Sequence, residues 1–245
     1  MRRPRPSTKS LRTPGLRPLG AEPLEPRLAL ASYTVTSLAD SGPGTLRSLI
    51  EQANQHPAAD EISFGKLTGT ITLQSALPMI TTDLKIGATR PLTIDAKGKS
   101  TIFGVDGTKL SVSFDRLTLV NARSTESGAT LFASNWLGAT SLTDVVIKNS
   151  RVNSRYTSAA GGAIANMAGT MTLENCTISG CVANGADTDY GALGARGGGI
   201  YSNDSISVRR TTLRNNQVIG SFAGGGAIFA TGSVWVEDTV IDGNT

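Results

Sequence analysis

Three Gly-Gly-x-Ile segments recur in the last third of this chain, and each leads into the same apolar spacing. They are Gly161-Gly162-Ala163-Ile164, Gly197-Gly198-Gly199-Ile200 and Gly225-Gly226-Ala227-Ile228. A second apolar anchor lies 9, 8 and 8 residues beyond the isoleucine, at Leu173, Val208 and Val236. A third follows 5 residues later each time, at Ile178, Leu213 and Ile241. Fixed spacing within a repeat, with connectors of variable length between repeats, is the pattern of a stacked solenoid. In such a fold each repeat buries its apolar face only against its neighbours.

The five-residue step continues upstream, from Leu142 to Ile147 and from Phe114 to Leu119. Around these anchors stand short alternating runs such as Met171-Thr172-Leu173 and Val234-Trp235-Val236, broken by Gly and Asn. Such runs read as short strands. Each repeat then holds three strands separated by two or three bends and returns beside its own start. Successive repeats stack in parallel around a core of Ile, Leu and Val. The usual hand of parallel crossovers makes this an all-β, right-handed parallel β-helix. Roughly six or seven coils of about 25 residues are expected.

Glycine suits the corners, because it reaches positive φ and close backbone approach without a Cβ clash. Asn121, Asn149, Asn215 and Asn244 fall just past third anchors, so a ladder of stacked asparagines is expected there, interrupted at Gly180-Cys181. Segments 151–160, 182–196 and 217–224, between a third anchor and the next Gly-Gly, are expected to emerge at one corner as a loop-bearing face.

Before the coils, Tyr33-Thr34-Val35-Thr36-Ser37-Leu38 alternates as a strand, and Gly42-Pro43-Gly44 forces a turn. Thr45 is placed to cap a helix whose apolar stripe is Leu46, Leu49, Ile50 and Ala53. Such a helix would cover the open end of the solenoid and mask its first strand edges. The domain reading is therefore a basic, Pro-rich targeting segment over 1–31, expected to be disordered, a cap over 32–60, and the β-helix over 61–245. Thr245 follows a third anchor with no closing segment, so the β-helix is expected to be truncated and to continue in the natural protein.

Charge sharpens this division. Residues 1–31 carry seven Arg or Lys and two Glu, whereas the remainder holds 16 basic and 17 acidic residues. The folded part is nearly neutral, which argues against a nucleic-acid-binding face on it. The two cysteines, Cys176 and Cys181, either bridge locally or stand as small residues in place of Ser and Asn. No Cys or His partners them as a zinc site.

Catalytic chemistry on a coil needs converging carboxylates, or a base with calcium and an arginine. Most acidic residues stand singly. Asp187 and Asp189 form the closest pair, with side chains on one side of an extended segment where they can share a cation. His56 is the only histidine and has no evident partner. Arg209-Arg210 and Glu237-Asp238 follow anchors at equivalent positions, so Arg is expected over acid in neighbouring coils. Tyr156, Tyr190 and Phe222, one aromatic in each connector, suggest a row of rings for a sugar face or a protein partner.

Several motifs together carry a family resemblance. Leu24-Glu25-Pro26-Arg27-Leu28-Ala29-Leu30 resembles the N-terminal element of exported planctomycete proteins. Tyr33 through Arg47, continuing to Ala53-Asn54, is similar to the opening module of secreted bacterial β-helix proteins. The Gly-Gly-x-Ile segments and Ile241-Asp242-Gly243-Asn244 resemble the repeats of chlamydial polymorphic outer membrane proteins. The resemblance implies a pectate-lyase-like solenoid that is secreted or displayed at the cell surface or outer membrane. It also implies a structural or adhesive module binding a glycan or protein ligand, with no catalytic residue, no metal and no cofactor. Membrane association would come through the missing C-terminal region. The alternative is a carbohydrate-active β-helix enzyme, a polysaccharide lyase or hydrolase.

Overall fold

A computed structural model describes residues 30–56, 58–154, 158–185, 187–188, 191–192 and 194–245. The basic segment over 1–29, with its expected disorder, lies outside the described residues. The rest winds into a parallel β-solenoid of about seven turns with one short helix. Period-two alternation fixes the register, because a slip of one residue would turn every apolar side chain to solvent.

Three inward columns make the core. The first runs Tyr33, Ile62, Ile86, Phe114, Leu142, Leu173, Val208 and Val236 through paired strands. The second runs Ile71, Ile94, Leu119, Ile147, Ile178, Leu213 and Ile241. The third runs Phe103, Leu131, Ile164, Ile200 and Ile228. All three anchors of the repeat thus lie in vertical register. Ile164, Leu173, Ile178, Ile200, Val208 and Leu213 are fully buried, whereas Val236 and Ile241 in the last coil are exposed.

The chain turns from the first column to the second through a residue in the left-handed region. Arg116, Asp144, Asn175, Arg210 and Asp238 hold this place with φ from 46° to 55°. After the second column another left-handed position follows, at Asn121, Asn149, Gly180, Asn215 and Gly243. The asparagine ladder needs a correction here. Asn244 does not stack on Asn215; it lies one residue further on and stacks under Asn216. The Asn216 amide nitrogen donates to Asn244 Oδ1 at 2.9 Å, and Asn216 Oδ1 accepts from the Cys181 N–H at 3.0 Å. At the left-handed position itself Gly180 keeps the turn, so the backbone ladder is continuous there.

The connectors are also different from expectation. Most of their described residues pair as walls of the coil in place of corner loops, while Asp187–Thr188 and Gly191–Ala192 pair antiparallel apart from those walls. Arg123–Ser124, Arg151–Ser154, Val182–Gly185 and Gln217–Ile219 make a four-stranded parallel sheet. Ala159–Ala160, Gly194–Arg196 and Phe222–Gly224 make a three-stranded one. Val152, Ala183 and Val218 are one inward column of the first wall, and Val152 and Ala183 are fully buried.

The helix Leu46–Ala53 forms where its stripe predicts and packs beside the strand Asp60–Ser63. Thr45 Oγ1 accepts from the Ser48 N–H at 3.3 Å, and Leu46, Leu49, Ile50 and Ala53 are buried. Arg47 ties the cap down, with Nη2 at 2.8 Å from Asp40 Oδ1 and donating to the Ser75 carbonyl at 2.9 Å. His56 has a partner after all: its Nδ1 lies 3.0 Å from Oδ1 of Asp60, whose side chain is fully buried. Asp60 opens the strand Asp60–Ser63, so this contact joins the end of the cap to the first coil.

Candidate functional site

The coil interior is filled by aliphatic side chains, so chemistry has to be sought on the outer faces and at the bends. Of the residues singled out from sequence, Tyr156, Asp189 and Tyr190 lie outside the described residues. Asp187 begins the strand Asp187–Thr188, which pairs antiparallel with Gly191–Ala192. Phe222 is 68% exposed and pairs with Gly194, so the position beside it in the adjacent coil carries no ring. Among the described residues no group of three or more His, Cys, Asp and Glu could hold a metal ion.

The expected Arg-over-acid stack is present. Arg209 Nη2 lies 3.1 Å from Glu237 Oε2, and Arg210 pairs with Glu174. Arg209, Arg210 and Glu237 are substantially exposed and Glu174 is half-buried, so each such pair is worth about 1 kcal/mol or less. They align coils and leave the carboxylates engaged.

Two cysteines occupy successive inward corners. Both are free and buried. Burial pushes the Cys176 thiol up to about 11 and the Cys181 thiol up to about 12. Two consequences are expected. Neither thiol should react with an aromatic disulfide reagent in the native protein at pH 8, whereas both should react once the chain is unfolded, since the thiolate is the nucleophile. Stability should also fall as pH rises from about 9 toward 12, because the unfolded chain ionises its thiols first. The C176A/C181A protein should lose that part of the alkaline slope in urea titrations.

A row of outward aromatics does exist, in a place the connectors did not indicate. Phe132, Ala165, Tyr201 and Phe229 share one register position. The Tyr201 and Phe229 rings are 5.9 Å apart and nearly parallel, with an interplanar angle of 5°. The Arg196 guanidinium lies 5.1 Å from the Phe229 ring centre. Each residue directly follows an inward anchor, at Leu131, Ile164, Ile200 and Ile228, and strand alternation alone turns it outward. That was the available signal. Tyr201 is buried, so the stack serves to hold coils together.

The more accessible feature lies at the bend within the long strand Leu131–Thr143. Trp136 is 66% exposed and Leu137 78% exposed. Leu137 has φ 58°, and Lys109, at the equivalent bend one coil earlier, has φ 60°. The Lys109 N–H donates to the Trp136 carbonyl at 2.7 Å. Buried Asn135 clamps the pair of bends: its Oδ1 accepts from the Leu110 N–H at 3.0 Å and its Nδ2 donates to the Leu110 carbonyl at 2.9 Å. The next coil crosses the same bend through Gly169 alone, between Ala168 and Thr170. A Cβ on Gly169 would meet the Asn135 carbonyl oxygen at 2.1 Å, so only glycine fits. The longer bend therefore overhangs the shorter one. Beneath it opens a groove of about 530 Å³ whose lining includes Lys109, Ser111, Leu137, Gly169, Thr170 and Asp204.

The chain matches no protein-family model, and no curated protein matches it.

Proposed function

We propose that this chain is an exported β-solenoid module of the cell surface or extracellular space, structural and adhesive in character, which binds a glycan or protein partner on its outer face. The observation that carries this reading is the solid interior. Ile, Leu, Val and Phe fill the columns between the walls, so any ligand has to be met from outside. Export is supported by the Leu24–Leu30 element and the Arg- and Pro-rich segment before it. Adhesion is supported by the resemblance to chlamydial surface repeats. Ion-paired acids such as Glu174 and Glu237 are poorly placed as general acids or bases.

A reporter fused to residues 1–32 tests the reading in the source cell type. Delivery of the reporter outside the cytoplasm is expected. Cytoplasmic retention would overturn it.

A further inference from the structure

We infer that the Trp136–Leu137 ridge and the groove beneath it form a binding site for a short oligosaccharide of pyranose units. This rests on the reading that the outer face binds a partner, and it names the place and the ligand chemistry.

Four observations converge on the site. First, exposed large apolar side chains are few on the sides of the solenoid. Upstream of the last coils, Met79, Trp136 and Leu137 are the exposed large apolar side chains of the coil body among the described residues. Two of the three are adjacent, on one bend. Second, Leu137 is held at positive φ, a conformation that costs an ordinary side chain about 1–2 kcal/mol. Its side chain is 78% exposed and adds nothing to the core, so the bend requires the φ but not an apolar side chain there. Third, the groove has the size of a small-molecule site. Two side chains on a bend are far less than a stable protein interface of about 800 Å² per partner requires.

Fourth, the surroundings are those of a polyhydroxyl ligand. An indole and an isobutyl group offer apolar contact to the C–H face of a pyranose ring. Ser111 and Thr170 supply hydroxyls at the groove. Outside it, Ser113, Ser141, Thr172 and Ser207 continue as one outward row across four coils. Such hydroxyls donate and accept with equal ease, as sugars do. Asp204 is fixed in place, with Oδ2 accepting from the Gly169 N–H at 3.2 Å and Oδ1 from the Ser205 N–H at 2.7 Å. Lys109 has no ion-pair partner among the described residues, which leaves its amine for a hydroxyl or a uronate carboxylate.

The test uses the full chain carrying Trp235→Phe, in which Trp136 is the sole tryptophan. Its emission is titrated with neutral hexose and hexuronate oligosaccharides of three to six units. A saturable change with either class is expected. By calorimetry, Trp136→Ala and Leu137→Gly should each weaken that binding at least tenfold. Leu137→Gly should leave the melting temperature unchanged or raised, because glycine relieves the strained φ. Lys109→Ala should weaken hexuronates more than neutral sugars if the amine takes a carboxylate, and both alike if it takes hydroxyls. No saturable change with any oligosaccharide would overturn the site, as would binding that survives Trp136→Ala undiminished. Export of the 1–32 reporter is read separately. A failed titration with successful export removes this site alone, and failed export removes the surface role.

Discussion

Gly198→Ala should be among the most damaging single substitutions in the chain, costing more than about 3 kcal/mol. A Cβ at this position would lie 2.4 Å from the Gly226 carbonyl oxygen and 2.6–2.7 Å from the backbone of Gln217. Gly226 belongs to the next coil and Gln217 to the neighbouring wall, so two backbones would have to shift together. Close-packed interiors do not yield that much. Gly162 stands in the same vertical row and meets Gly198 and Val182 in the same way. Gly98→Ala provides the control. Its φ is 71°, but a Cβ there meets nothing within 4 Å, so about 1 kcal/mol of local strain is expected. Urea unfolding of the two variants separates steric stacking from backbone preference. Equal costs would contradict the stacked Gly-Gly corner.

The second large effect is graded along a single column. Ile147→Ala and Ile178→Ala should each destabilise by about 2–5 kcal/mol, since both side chains are fully buried and their loss leaves a cavity. Ile241→Ala removes the same atoms from the same column, yet Ile241 is 51% exposed and should cost less than about 1 kcal/mol. Each coil contacts only its neighbours, so the Ile241 variant should loosen the last turn without unfolding the rest. Denaturant titration with hydrogen exchange distinguishes the two behaviours. A uniform penalty along the column would mean that burial does not follow the stack.

Much of this architecture was legible in the residues because the core is built from a one-dimensional repeat. Ile164, Ile200 and Ile228 had to align once their spacing to the next two anchors was shared, and they pair directly across coils. Thr45 and the stripe from Leu46 to Ala53 specified the cap for the same reason, since capping and 3.6-residue periodicity are local. The corners were harder. Asn175, Arg210 and Asp238 take one left-handed conformation with three different side chains, because the coil imposes the turn and residue type does not report it. Asn215 and Asn244 were merged into one ladder for a related reason: two adjacent columns of similar polarity look alike in sequence. The walls made by Arg151–Ser154 and Val182–Gly185 hold too few apolar residues to register as strands.

The site was less legible than the scaffold. Phe132, Tyr201 and Phe229 follow their anchors immediately, but Ala165 breaks the pattern in the middle of the row. Trp136 and Leu137 sit where one coil is longer than the next, so the following repeat holds no partner to mark them. A bend that differs between neighbouring coils makes the groove, and such a difference is visible only after the coils are aligned.

Spin labels placed on one outward column test the central claim directly. Glu61, Lys85, Ser113, Ser141, Thr172 and Ser207 follow one another across successive coils. With one label at Ser207 and the second moved through Ser141, Ser113, Lys85 and Glu61, separations should rise in even steps. At about 4.8 Å per coil they run from roughly 10 Å to roughly 24 Å. Separations that fail to increase in this order would show that the chain does not climb in stacked turns.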